Sequence, residues 1–295
     1  ALDSKVQKAA QTALAEKIAS LRSTAAEGKG KDVKSGSVVV LDVKTGGVIT
    51  CASWPDYDLS TYGEKYNDLI ADADNPLFNR ALYGAFPCGS TFKPGVALAA
   101  ITDGIINGTQ TINCTYAYEY YAPSYVPKCM SRHSHLSVVG AIEKSCNYYF
   151  YDVGRLMGGT IFNYLKLYGF GQKTGVEIGE SSGIQQSPEY MSAIGGNWVG
   201  GDYLQLAIGQ RGSYTPIQLA AYTMMIANGG TRYKTHFIKS IRSYDGKSET
   251  VIPIGGTFDP ENYYTKDDID DIVSGITEDI EEATSGKADT SAVTQ

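Results

Sequence analysis

Several things are scarce or absent in this chain, and each absence narrows the reading. No stretch is long and apolar enough to span a bilayer, and no secretory leader opens the sequence. Basic residues do not dominate. Lys and Arg number 25 against 32 Asp and Glu, a formal charge of −7, which with no basic patch in the sequence to neutralise phosphates argues against nucleic-acid binding. No internal repeat appears, which removes solenoid architectures. Cysteine is limited to Cys51, Cys88, Cys114, Cys129 and Cys146, with no Cys-x-x-Cys pair, and the odd count leaves at least one thiol outside any set of disulfides.

What is present suits a globular protein. The 295 residues, 42% of them hydrophobic, can bury a core as one or two domains. Val6, Ala9, Ala10, Ala13 and Leu14 recur at helical spacing and predict a helix over about Ser4–Ser20, with Ser4 and Gln7 able to form a capping box. Runs around Ser37–Leu41 and Val48–Ala52 flank "DVKTGG" and predict a β-hairpin. A helix is expected from about Leu136 to Lys144. "TPIQLAAYTMMIANGG" reads as a buried helix opened by Pro216 and closed by glycines, and "THFIKSIRSY" as a strand. The segment "NGTQTINCTYAYEYYAPSYVPKCM" reads as a tyrosine-rich loop, and the residues after about Thr284 as a short polar tail.

The chemistry centres on "FPCGSTFKP". Pro87 and Gly89 form a turn that opens a helix, and Pro94 fits its first turn, where a missing N–H costs little. Ser90 and Lys93 are three apart and share a helical face. A serine needs an adjacent base, and a lysine can serve if burial disfavours its charged form. The helix N-terminus offers backbone N–H groups to a developing oxyanion. Ser-x-x-Lys alone is a weak signal, but Ser145-Cys146-Asn147 follows at a suitable interval. Ser-x-x-Lys, then Ser-x-Asn, then Lys-Thr-Gly is the motif set of penicillin-binding proteins and serine β-lactamases.

Longer segments resemble the transpeptidase domain of class B penicillin-binding proteins nearly end to end: "GSVVVLDVKTGGVITCASWPDYDLSTY", "NPLFNRALYGAFPCGSTFKP", "YLKLYGFGQKTGVEIGE" and "LAIGQRGSYTPIQLAAYTMMIANGG". The resemblance implies one α+β domain over residues 1–295, an antiparallel sheet with helices on both sides plus a helical subdomain, and Ser90 in a cleft between that subdomain and the sheet edge. It implies a D,D-transpeptidase that cross-links peptidoglycan stem peptides ending in D-Ala-D-Ala and is acylated by β-lactams. Ser90 is then the nucleophile, Lys93 its base and Ser145 a proton relay, while Asn147 holds Lys93 and a substrate amide. It also implies a parent with an N-terminal membrane anchor and pedestal, at the extracytoplasmic face of the bacterial membrane, working beside a glycosyltransferase. Two rivals remain: a serine β-lactamase, which needs a deacylating base that the sequence does not offer, and a non-catalytic cell-wall scaffold.

The third motif departs from the family. The literal Lys173-Thr174-Gly175 stands too early and reads as a turn, while Lys287 in "SGKADTSAVTQ" follows too closely on "SGITEDIEE" and lacks the glycine. The expectation is that the Lys-Thr-Gly strand and its neighbours lie beyond this sequence. Between the first two motifs, Cys114, Cys129, His133 and Cys146 form a set suited to tetrahedral zinc, with His135 a substitute ligand and His236 an ordinary strand residue. A Cys114–Cys129 disulfide and three buried reduced thiols are the alternatives.

Overall fold

In a computed structural model, residues 2–251 are described. The segment "SGITEDIEE", the Lys287 segment and the polar tail lie outside them. Contacts divide the described chain into two compact units, each assembled from separate segments.

The first unit takes residues 2–86, 169–184 and 214–251. Helix α1 spans Ser4–Thr24. Its cap is Asp3 rather than the expected Ser4–Gln7 box: the carboxylate accepts from the Lys5 and Val6 N–H groups, because an aspartate one residue upstream reaches the free amides first. Gln7 does different work. Its amide accepts from the Cys51 N–H at 2.9 Å and donates to the Cys51 carbonyl at 3.1 Å. It thereby satisfies the open edge of strand β2, Val48–Trp54, which pairs antiparallel with β1, Gly36–Leu41. The hairpin stands where the alternating pattern put it, and in β2 the residues Val48, Thr50 and Ala52 turn one buried face inward. Helix α2 (Tyr62–Ala71) follows.

The unit closes with α9, Pro216–Ala227, which carries the Thr215–Gln218 capping box, and a short antiparallel pair, β5 (Ser240–Arg242) and β6 (Glu249–Val251). Both α1 and α9 pack against the β1–β2 hairpin. Val48, Leu82, Val176 and Ile217 form the core, with Val39, Leu41, Cys51 and Phe237 around it. The expected strand over "THFIKSIRSY" is interrupted. His236 makes a parallel bridge to Gly47, and the next two N–H groups, of Phe237 and Ile238, are taken by the Glu177 carboxylate instead of a strand partner.

The second unit takes residues 87–168 and 185–213 and is mostly helical. Helix α3 (Lys93–Thr102) is apolar all round and made of small residues, so it runs through the interior. The tyrosine-rich segment is more ordered than a loop. Its start forms β3 (Ile112–Cys114), paired with β4 (Ser134–Leu136), and bridges join Ala117 to Lys128 and Tyr121 to Tyr125. Leu136 therefore ends a strand, and the next helix, α4, is shorter than expected at Val138–Glu143, capped by Ser137. Helices α5 (Asn147–Met157) and α6 (Ile161–Leu167) follow, then α7 (Pro188–Ala193) and α8 (Gly200–Ala207). Tyr118 donates to Asp152 at 2.7 Å and accepts from Arg155 at 2.8 Å, which pins the tyrosine-rich segment to α5. Gly154 lets α5 approach α8 closely. A Cβ there would lie 2.5 Å from the Tyr203 carbonyl oxygen and 2.6 Å from the Ala207 Cβ.

Candidate active site and thiol cluster

The Ser-x-x-Lys segment is a tight 3-10 turn, Gly89–Phe92, running directly into α3 with Pro94 in its first turn. Gly89 has φ +58°, a conformation glycine adopts without cost. In a 3-10 turn residues i and i+3 eclipse, so Ser90 and Lys93 share a side as the sequence predicts. Ser90 is exposed while Lys93 is 1% exposed.

The buried amine has a full set of acceptors. Lys93 Nζ donates to the Ser145 carbonyl at 2.7 Å, to Ser145 Oγ at 3.0 Å and to Asn147 Oδ1 at 2.7 Å, and it sits 5.6 Å from the centre of the Phe150 ring. Those three oxygens use all the donors of an ammonium. Among the described residues no hydrogen bond joins Lys93 to Ser90 Oγ: the oxygens of the second motif occupy the amine. Burial, which penalises the charged form, lowers the Lys93 pKa from 10.5 to about 8; the nearby Cys146 and Cys129 thiols oppose that shift in part. An amine so placed can release its proton near neutrality and accept one back.

Ser145 is presented by a helix ending. The Ser145 N–H donates to the Ile142 carbonyl and the Cys146 N–H to the Ala141 carbonyl, the hydrogen-bond pair that closes a helix through a left-handed residue. Glycine usually fills that position, but here it is Ser145, at φ +49°. Cys146 then caps α5, its sulfur accepting from the Tyr149 N–H, and Asn147 is the first residue of that helix.

Directly behind this turn lie the cysteines. One ligand atom from each of Cys114, Cys129, His133 and Cys146 falls within 4.8 Å of all the others. His133 Nδ1 is 3.6 Å from both Cys114 Sγ and Cys129 Sγ, and Cys129 Sγ is 3.8 Å from Cys146 Sγ. Tetrahedral zinc with Zn–S of about 2.3 Å and Zn–N of about 2.0–2.1 Å requires edges of about 3.8 Å between sulfurs and about 3.6 Å between sulfur and nitrogen. The donor set and its spacing fit such an ion. None of the five cysteines is in a disulfide. Burial pushes the Cys146 thiol well up; burial also acts to raise Cys129, but the Tyr148, Ser131 and Asn147 backbone N–H groups outweigh it and hold that thiol below its ordinary value. His135 pairs with Asn113 in the β3–β4 ladder and is exposed, so His133 is the histidine of the cluster.

The literal Lys173-Thr174-Gly175 is structural. Thr174 donates to the buried Glu180 carboxylate at 2.9 Å, the Gly175 N–H to the same carboxylate at 2.7 Å, and Thr174 and Thr235 share a hydroxyl contact. Lys173 itself is exposed. Three neighbours of the site escaped the sequence reading: Phe150, Ser131, whose hydroxyl lies 2.8 Å from His133 Nε2, and Gly209, whose carbonyl accepts from the Gly89 N–H at 2.9 Å. Only the position of Ser131 two residues before His133 offered a hint.

Comparison with known proteins identifies the family. A family model described as the penicillin binding protein transpeptidase domain matches residues 36–289. The Haemophilus influenzae peptidoglycan D,D-transpeptidase MrdA is 34% identical over 225 residues, 70% of this chain and 33% of that protein. Pseudomonas aeruginosa PBP2, solved with WCK 5153, superposes with a TM-score of 0.74 at 28% identity, over 99% of this chain and 64% of that one. Helicobacter pylori PBP2, solved in complex with MreC, does so with a TM-score of 0.66 at 25% identity, over 90% and 48%. The fold is the α+β architecture of penicillin-binding protein transpeptidase domains. The chain belongs to the penicillin-binding protein transpeptidase domain family, in its class B branch. It spans about a third of the length of the curated relatives it matches.

Proposed function

We propose that this chain carries the acyl-transfer centre of a peptidoglycan D,D-transpeptidase. The observation that carries the reading is Lys93: a lysine 1% exposed, one turn from an exposed serine, with its amine held by Ser145 and Asn147 and its pKa lowered to about 8. In this reading Ser90 Oγ attacks the carbonyl of a terminal D-Ala-D-Ala bond as neutral Lys93 takes its proton. Ser145 passes a proton to the departing D-Ala amine. The amine of a second stem peptide then displaces Ser90 and completes the cross-link. Asn147 fixes the lysine, and the Ser90 N–H at the start of the helix stabilises the oxyanion. β-Lactams acylate the same oxygen.

The thiol cluster is read as a structural zinc site, with Cys114, Cys129, Cys146 and His133 Nδ1 as ligands and Ser131 fixing the far ring nitrogen. Bound there, zinc supplies cross-linking rather than chemistry on the substrate. The family likeness, with relatives named as D,D-transpeptidases or solved with MreC, supports a place among cell-wall assembly proteins, including a glycosyltransferase, at the outer face of the membrane. No helix among the described residues is long and apolar enough to cross a membrane itself.

The test is intact-mass spectrometry after incubation with a labelled penicillin, beside Ser90→Ala. One stable adduct, lost in the variant, is expected. Continuous hydrolysis of the drug would point to a β-lactamase, and a folded protein that forms no adduct would point to a scaffold module.

A further inference from the structure

The turn that ends α8 stands directly behind the nucleophile. Helix α8 closes as α4 does: the Gly209 N–H donates to Leu206 and the Gln210 N–H to Gln205, with Gly209 left-handed at φ +75°. Closing the helix this way leaves the Gly209 carbonyl pointing away, and it accepts from the Gly89 N–H at 2.9 Å while the buried Cys88 thiol lies 3.8 Å from it. Contact is at the backbone on both sides. A Cβ on Gly209 would fall 2.2 Å from the Gly89 oxygen, 2.6 Å from its nitrogen and 2.8 Å from its carbonyl carbon. Those atoms belong to the residue immediately before Ser90 and cannot rotate aside like a side chain.

The same helix braces the second motif. Its Tyr203 carbonyl and Ala207 methyl sit against Gly154 of α5, and α5 begins at Asn147. Ser90 on one side and Asn147 on the other are thus both referenced to α8, and the reference to Ser90 passes through a single glycine.

We infer that Gly209 is a positioning residue for acylation, acting through Gly89 to hold Ser90 in register with Lys93, Ser145 and Asn147. The inference rests on the reading of Ser90 as nucleophile. A side chain at Gly209 displaces the peptide before Ser90 by a good part of an ångström, and a misplacement of that size lowers a reaction rate on the order of a hundredfold.

Gly195 provides the control. It has nearly the same backbone, φ +74°, lies in the same unit, and has open space where a Cβ would go. Gly209→Ala and Gly195→Ala therefore carry the same conformational penalty, and only the first meets the nucleophile turn. The saturating acylation rate and the half-saturating concentration would be measured with a chromogenic β-lactam, alongside thermal midpoints. Gly195→Ala should acylate within about twofold of the parent. Gly209→Ala should lose on the order of a hundredfold in saturating rate with little change in half-saturation, the signature of an interaction made at the reacting atom. Equal saturating rates in the two variants would overturn the inference. A parent protein that is not acylated would instead sink the reading of Ser90. Should Gly209→Ala fail to fold, Cys88→Ala is read in its place, since it removes only the thiol at the Gly209 carbonyl. A saturating rate lowered about threefold or more supports the brace, and an unchanged one overturns it.

Discussion

Ser145 occupies a conformation that serine adopts at a cost of about 1 kcal/mol, at a helix ending where glycine would be free of it. The hydroxyl explains the choice, since it is one of three oxygens on the Lys93 amine. Ser145→Ala and Ser145→Gly both remove that oxygen, yet only alanine keeps the strain. Ser145→Gly should therefore be more stable than Ser145→Ala by about 1 kcal/mol in urea unfolding, with acylation equally depressed in both. Equal stabilities would show that the turn carries no strain. At this scale the site was legible where chemistry follows local spacing. Ser90, Lys93, Ser145 and Asn147 were singled out from two short motifs, and Cys114, Cys129, His133 and Cys146 as one cluster. The left-handed backbone of Ser145 and the placement of Gly209 against Gly89 were not legible, because each is fixed by a neighbour distant in sequence.

Elements tell a similar story. The β1–β2 hairpin and α9 were readable because alternation, a turn and a capping box announce them over many residues. Strands β3 and β4, three residues each, are too short to show a period, so the first was read as loop and the end of the second as helix. The thiol cluster brings these short elements together, Cys114 from β3, Cys129 and His133 from the segment between the strands, and Cys146 from the cap of α5. With zinc bound, protein purified without chelator should hold one equivalent. Stripping it should remove about 2.7 kcal/mol of stability relative to metal at a hundred times its dissociation constant, with faster hydrogen exchange over residues 112–147. Protein that retains no zinc, and whose thiols alkylate equally fast with zinc added, would contradict the assignment.

At the scale of the whole molecule, 32 acidic residues outnumber 25 basic ones, a formal charge of −7. The catalytic property proposed here is also a product of the assembled helical unit rather than of one partner. The Lys93 pKa is lowered chiefly because α3 runs through an interior built from α4, α5 and α6, which removes water from the amine. With the neutral amine as the proposed base the sign is fixed: below its pKa the working form declines about tenfold per pH unit, and above it the form is saturated. The most direct measurement is the acylation rate by a labelled penicillin between about pH 6 and 10, with folding verified throughout. The account predicts a rate that rises with pH and levels off with a midpoint of about 8. A flat profile, or one still rising at the ordinary pKa of lysine, would contradict the assignment of buried Lys93 as the base for Ser90.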